Sequence, residues 1–165
     1  MRYREVGTTG VKVSEVGFGG EWAKADDPEQ VRALVERCEA NGINLLDCWM
    51  SDPGIRTNLG DAIRGHRDRW VIQGHLGSTW KDGQYERTRE IGPVKAAFED
   101  LLERLHADYV DFGMLHFIDT MGDYRTVMDG DVAAYARELK EAGTIRHIGL
   151  STHNPAVALA AAKGG

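Results

Sequence analysis

Residues 43 to 59 read INLLDCWMSDPGIRTNL. The first five are an apolar run closed by an acid, Asp47. A short apolar run bounded by turn residues reads as a buried strand. Asp52-Pro53-Gly54 is a turn signal, and TNLGDAIRG, which follows, has the pattern of a short helix. The stretch is therefore one strand, one loop and one helix. The fold follows from how often this unit recurs.

Upstream, YREVGTTGVKVSEVGFGG reads as a β-hairpin and a first strand. Thr9-Gly10 supplies the turn, and Val11 and Val13 alternate with polar residues. DDPEQVRALVERCEANG is a helix with Asp27 as N-cap, Pro28 at its first position and Gln30 at its third. Val31, Leu34, Val35 and Cys38 share its apolar face, and Asn41-Gly42 ends it. Downstream, WVIQGHLG is a strand and GPVKAAFEDLLERLHAD a helix with Val94, Ala97, Phe98, Leu101 and Leu105 on one side. YVDFGMLHF and IRHIGLS are strands, separated by the helix DVAAYARELKEAG, and PAVALAAAKGG is a last helix. The order is a hairpin and then five β/α units.

Strands without clean alternation, each followed by a helix, indicate a parallel sheet covered by helices. An open doubly wound sheet and an α/β barrel both fit. A nucleotide-binding open sheet carries a glycine-rich turn between its first strand and helix. GFGGEWAKADD has glycines at 17, 19 and 20 but none opening a helix. A barrel instead gathers its functional groups at the C-terminal ends of successive strands. Asp47 closes the second strand, His75 the third, His116 the fourth, and Ser151 with His153 the fifth. Four consecutive strands present titratable or polar groups at the same end.

Composition narrows the partners. The formal net charge is −6, with 20 Lys and Arg scattered among 26 acids, so no nucleic-acid partner is expected. No apolar run approaches the roughly 20 residues of a membrane helix, and MRYREVGTTG has no apolar signal-peptide core. Cys38 and Cys48 are too few for a disulfide framework and read as reduced thiols, which points to a cytoplasmic protein.

Several blocks together resemble the aldo-keto reductase family of (β/α)8 barrels. REVGTTGVKVSEVGFGG is similar to its hairpin and first strand. GINLLDCWMSDPGIRTNLGDAI, YVDFGMLHFID and GTIRHIGLSTHN are similar to its second, fourth and fifth strand segments. The resemblance implies a (β/α)8 TIM barrel, carbonyl or alcohol substrates, and NADP or NAD as cofactor with no metal. It also implies a tetrad of Asp, Tyr, Lys and His, in which the Tyr protonates the carbonyl oxygen. The Asp falls on Asp47 and the His on His116, but Asp52 stands at the Tyr position and His75 at the Lys position. The nicotinamide-contacting Ser falls on Ser151, with Thr152 in place of the usual Asn. Cofactor contacts are thus expected from Gly20, Glu21, Trp22, Asp47, Ser151 and Thr152. Asp47, His116, His75 and Asp52 are the candidate catalytic groups.

Each candidate has a plainer reading. Asp47 could cap a helix, His116 could be a satisfied core histidine, and Asp52 could only form an Asx-turn. His75 could fill the space of a lysine or exchange protons with Asp47. Tyr85 and Tyr124, in loops after the third and fourth strands, are candidates for a substitute phenol. Trp22, Trp49 and Trp80 are candidates to line a pocket. Two alternatives to a reductase stand beside it. One is a non-catalytic binding or regulatory barrel. The other is a metal-assisted lyase or hydrolase using Asp47, His75, His116 and His153.

Residues 1–165 hold five of the family's eight units. The expectation is one domain, a partial barrel with its remainder outside these residues. That segment alone is expected to be inactive and to associate with itself or with the missing part. Any iron-sulfur module would lie beyond Gly165.

Overall fold

The structure is a computed structural model that describes residues 1–23 and 25–164. It begins with an antiparallel hairpin, β1 (Tyr3–Glu5) and β2 (Lys12–Ser14). Five parallel strands follow: β3 (Phe18–Gly19), β4 (Leu45–Cys48), β5 (Val71–Leu76), β8 (Val110–Leu115) and β9 (Ile145–Leu150). Between β5 and β8 the chain inserts a second hairpin, β6 (Ser78–Lys81) and β7 (Gln84–Arg87). The helices are α1 (Pro28–Ala40), α2 (Pro53–Ile63), α3 (Ile91–Arg104), α4 (Met121–Met128), α5 (Asp131–Glu141) and α6 (Pro155–Gly164). Gly165, the last residue of the expected final helix, lies outside the described residues.

The order of the sheet is β3-β4-β5-β8-β9, the order of the chain. A doubly wound sheet reverses its strand order at a switch point. This sheet never does, so the open-sheet alternative fails. Right-handed crossovers that always step the same way place every connecting helix on one face. The other face is left for a barrel interior, and the β/α rhythm expected of a barrel wall is present through all five units.

Local chemistry sets these elements. The Asp27 carboxylate accepts from Gln30 N–H at 3.0 Å and starts α1, with Pro28 where a missing N–H costs nothing. Val31 and Val35 of α1 are buried, whereas Leu34, expected beside them, is exposed at the margin of that face. In α3, Val94, Phe98 and Leu101 are buried at helical spacing, and Leu105 follows at its end. Along the strands a period of two divides the faces. Leu46, Ile72 and Leu115 are fully or nearly fully buried, whereas their neighbours Asp47, Gln73, His75 and His116 fall on the opposite face.

Two elements were not expected. The turn of the β6–β7 hairpin is Asp82-Gly83, with φ of 52° and 78°. Two successive positive φ values define the tight turn that matches strand twist, and Asp-Gly is its sequence signal. Helix α4 is capped by Thr120, whose hydroxyl accepts from Asp123 N–H at 3.0 Å. Tyr124 therefore belongs to a helix that packs beside α5 and α6, not to a loop at the strand ends.

Gly60 fixes how closely α2 approaches the end of α3. A Cβ there would overlap the carbonyl oxygen of Arg104 and sit 2.8 Å from Leu105 Cα. Those neighbours are backbone and cannot swing aside. Gly60→Ala is expected to destabilise by at least about 2 kcal/mol, read as a drop in the denaturation midpoint. An unchanged midpoint would contradict this packing.

Candidate active site

The C-terminal ends of β4, β5, β8 and β9 surround a cavity of about 580 Å³. Its walls include Asp47, His75, His116 and Ser151, with Trp49, Tyr85 and Phe117 supplying ring surface. Parallel register brings the first three together. Asp47 pairs with Gln73 and His75 with Met114, so residues far apart in sequence stand on neighbouring strands of one face.

The polar groups form a chain. His75 Nε2 lies 3.0 Å from Asp47 Oδ1. His75 Nδ1 lies 2.8 Å from Nδ1 of His116. His116 Nε2 lies 2.8 Å from the Tyr85 hydroxyl. All four imidazole nitrogens thus have a partner within the chain. His75 and His116 are 5% and 4% exposed, so these bonds lie out of competition with water. The Trp49 ring stacks on His116 at 5.8 Å and 12° between planes, and meets Tyr85 edge-on at 5.3 Å. Burial, reinforced by charge on His75 and by Arg89 and Arg87, pushes the His116 pKa down to about 3. His116 is therefore a neutral imidazole at physiological pH.

The backbone beside His116 is held under load. Phe117 has φ of 52°, a conformation a bulky residue seldom adopts. Its N–H donates to Ser151 Oγ at 2.8 Å. Arg89 donates to the carbonyls of His116 and Phe117 at 2.8 and 3.1 Å and is braced by Asp123 at 2.8 Å. Arg89 and Asp123 were not singled out from the sequence. They sit after the unexpected hairpin and in the unexpected helix, and no local motif marks them.

The other expected residues separate. Glu21 and His153 line the cavity, with His153 Nδ1 3.1 Å from Asp119. Asp52 is the N-cap of α2: its carboxylate accepts from Gly54 and Ile55 N–H at 2.7 and 3.1 Å. It is absent from the cavity wall, so the proposed catalytic role yields to the turn reading. Trp22 is 83% exposed and Thr152 donates to Asp119 at 3.2 Å; neither lines the cavity. Gly20 also lies off the wall, where a side chain would meet Leu59 and the Asp47 carbonyl. Trp80 borders a separate cavity with Arg56. The metal alternative gains no support. Among the described residues no three His, Cys, Asp or Glu side chains are placed to hold an ion, and His153 turns to Asp119. Cys38 and Cys48 are free thiols. No described helix is long and apolar enough to cross a membrane.

A five-unit β/α wall with its polar groups at the strand C-termini defines part of an α/β barrel. Residues 15–164 match the aldo/keto reductase family, and the chain belongs to that family. It is 32% identical over 163 residues to the uncharacterized oxidoreductase YqkF of Bacillus subtilis, covering 95% of this chain and 51% of that one. The aldo-keto reductase AKR11C1 of Bacillus halodurans, solved in a holo form, superposes with a TM-score of 0.81 at 27% identity, covering 99% of this chain and 54% of that one. An aldo-keto reductase of Klebsiella pneumoniae, solved with NADPH, shares the fold with a TM-score of 0.62 at 24% identity, covering 84% and 45%. The chain thus spans about half the length of the relatives it matches.

Two outcomes follow from this geometry. Asp52→Ala is expected to cost about 1 kcal/mol by uncapping α2 while leaving cofactor affinity unchanged; a large loss of affinity at unchanged stability would return Asp52 to the site. The unfolded chain protonates His116 near 6.5, whereas the folded chain resists until about 3. Stability is thus full above the unfolded value and falls as pH drops through it. From pH 7 to pH 5 the loss is about 2 kcal/mol, seen in denaturant titrations as extra pH dependence that His116→Asn removes.

Proposed function

We propose that this chain contributes the catalytic face of a nicotinamide-dependent oxidoreductase that interconverts small carbonyl compounds and alcohols. The observation that carries the reading is the Asp47–His75–His116 hydrogen-bonded set inside a cavity at the strand ends of an aldo-keto reductase wall. The membership of the family and the cofactor-bound states of the named relatives support a nicotinamide cofactor.

The residues present suit such a group. The cavity has the size of ordinary small-molecule sites. Trp49 and Phe117 offer flat faces to a heteroaromatic ring. The Ser151 hydroxyl accepts from Phe117 N–H and keeps its own proton to offer a carboxamide. A bound reduced nicotinamide supplies hydride to a carbonyl carbon. The protein's own task is then to stabilise charge on the carbonyl oxygen and deliver a proton there.

Asp47 is suited to orient His75 and to balance positive charge on it. In relatives with the usual tetrad a lysine carries that charge; here an imidazole stands in its place, bonded to Asp47 through Nε2 and to His116 through Nδ1. His116, kept neutral by burial, passes a proton without trapping it. Asp52, at the position of the usual phenol, is engaged in helix capping.

The complete natural protein, titrated with NADPH and with NADH by fluorescence, is expected to bind at least one at micromolar concentration. Asp47→Asn is expected to lower carbonyl turnover at least about tenfold. Failure to bind either cofactor at millimolar concentration would overturn the reading.

A further inference from the structure

We propose that Tyr85, carried on the β6–β7 hairpin, is the group that exchanges a proton with the substrate oxygen, and that His116, His75 and Asp47 form its relay. The inference rests on the reductase reading above. It concerns a residue outside the strand ends, on a hairpin inserted between β5 and α3.

The placement is specific. A strand alternates its side chains, so Tyr85 and Arg87 share one face of β7 while Glu86 takes the other. Tyr85 and Arg87 both line the cavity at the strand ends, and Glu86 lines the separate cavity beside Arg56. The tight Asp82-Gly83 turn sets the register that pairs Tyr85 with Trp80. The Trp49 ring, packed against Tyr85 and His116 together, holds the phenol in reach of Nε2.

The chain has two proton arrangements that differ by one proton. In the neutral arrangement every donor points toward Asp47. Tyr85 O–H donates to His116 Nε2, His116 Nδ1–H donates to His75 Nδ1, and His75 Nε2–H donates to the carboxylate. Here Tyr85 is poised to accept the proton of an alcohol as its own moves to His116. In the protonated arrangement His75 is an imidazolium beside Asp47. Its Nδ1–H donates to His116, whose Nε2–H donates to the Tyr85 oxygen, leaving the phenol proton free to face a carbonyl.

For reduction the atoms and electrons balance. A reduced nicotinamide, when bound, would supply the hydride pair of the new C–H bond, which would send the C=O π pair onto oxygen. Tyr85 Oη gives its proton to that oxygen. His116 Nε2–H restores the phenol, His75 Nδ1–H restores His116, and the imidazolium ends neutral, still bonded to Asp47. A proton from water recharges His75. Alcohol oxidation runs the same steps backward.

The test uses the complete natural protein and two variants, Tyr85→Phe and Asp47→Asn. Tyr85→Phe keeps the ring that packs on Trp49. It is expected to lower kcat for aldehydes and ketones by at least about 100-fold with cofactor Kd within about twofold. Because both residues act through one relay, the double variant is expected to be no worse than the poorer single variant. On the cofactor-free protein, ring ¹⁵N NMR is expected to show the His116 Nε2 resonance moving in Tyr85→Phe. It is also expected to move in Asp47→Asn, although Asp47 bonds only His75. Full kcat in Tyr85→Phe, multiplying losses in the double variant, or an unmoved Nε2 resonance would overturn the role of Tyr85 alone. Absence of cofactor binding by the unaltered protein would overturn the reductase reading and this role with it.

Discussion

Two buried imidazoles, His75 and His116, meet Nδ1 to Nδ1 at 2.8 Å, and the site depends on that meeting. Two ring nitrogens at hydrogen-bonding distance must share one proton, so the tautomer of either ring dictates that of the other. Everything attached inherits the constraint: Asp47 at one end, Tyr85 at the other, and the Trp49 ring stacked over the middle. The parallel sheet makes the meeting possible. Hydrogen bonding of β5 to β8 fixes the lateral distance, and the two-residue period of the strands turns both rings to the same face. The backbone beyond His116 is bent into an unfavourable conformation at Phe117, where Ser151 and Arg89 secure it. Strain of this kind persists only where the surroundings over-determine it.

Much of this could be read from the residues. The β/α rhythm was legible because parallel strands are short continuous apolar runs, and Asp27 and Gly42 mark helix ends by chemistry that acts locally. The alignment of Asp47, His75, His116 and Ser151 was legible because strand ends are local features too, and the barrel rule then places them together. The hairpin at 78–87 was signalled by Asp82-Gly83, yet its strands carry no apolar run and read as loop. Its importance is tertiary: nothing near Tyr85 in sequence reveals that its hydroxyl reaches a histidine 31 residues away. Helix α4 was missed because its polar turns look like linker between two stronger signals. That removed Tyr124 from the candidates and placed Asp123 under Arg89 instead.

Asp52 shows the limit of alignment by position. It stands where the family places a phenol, but it is followed by Pro53 and Gly54, and its short carboxylate satisfies two helix N–H groups. A side chain committed to capping is poorly placed to serve as an acid catalyst. The barrel wall keeps its scaffold and its Asp–His frame, and on the proposed reading the proton donor sits on a different element, the β6–β7 hairpin. Loops and insertions at strand ends vary more freely than the wall, and a hairpin inserted there can reach the same space from another direction.

Neutron diffraction from deuterated crystals of the complete protein would observe the shared protons directly. The account predicts one deuteron between the two Nδ1 atoms, one between His75 Nε2 and Asp47, and one between Tyr85 Oη and His116 Nε2. Rings turned apart with water between them, or a Tyr85 hydroxyl directed away from His116, would contradict it.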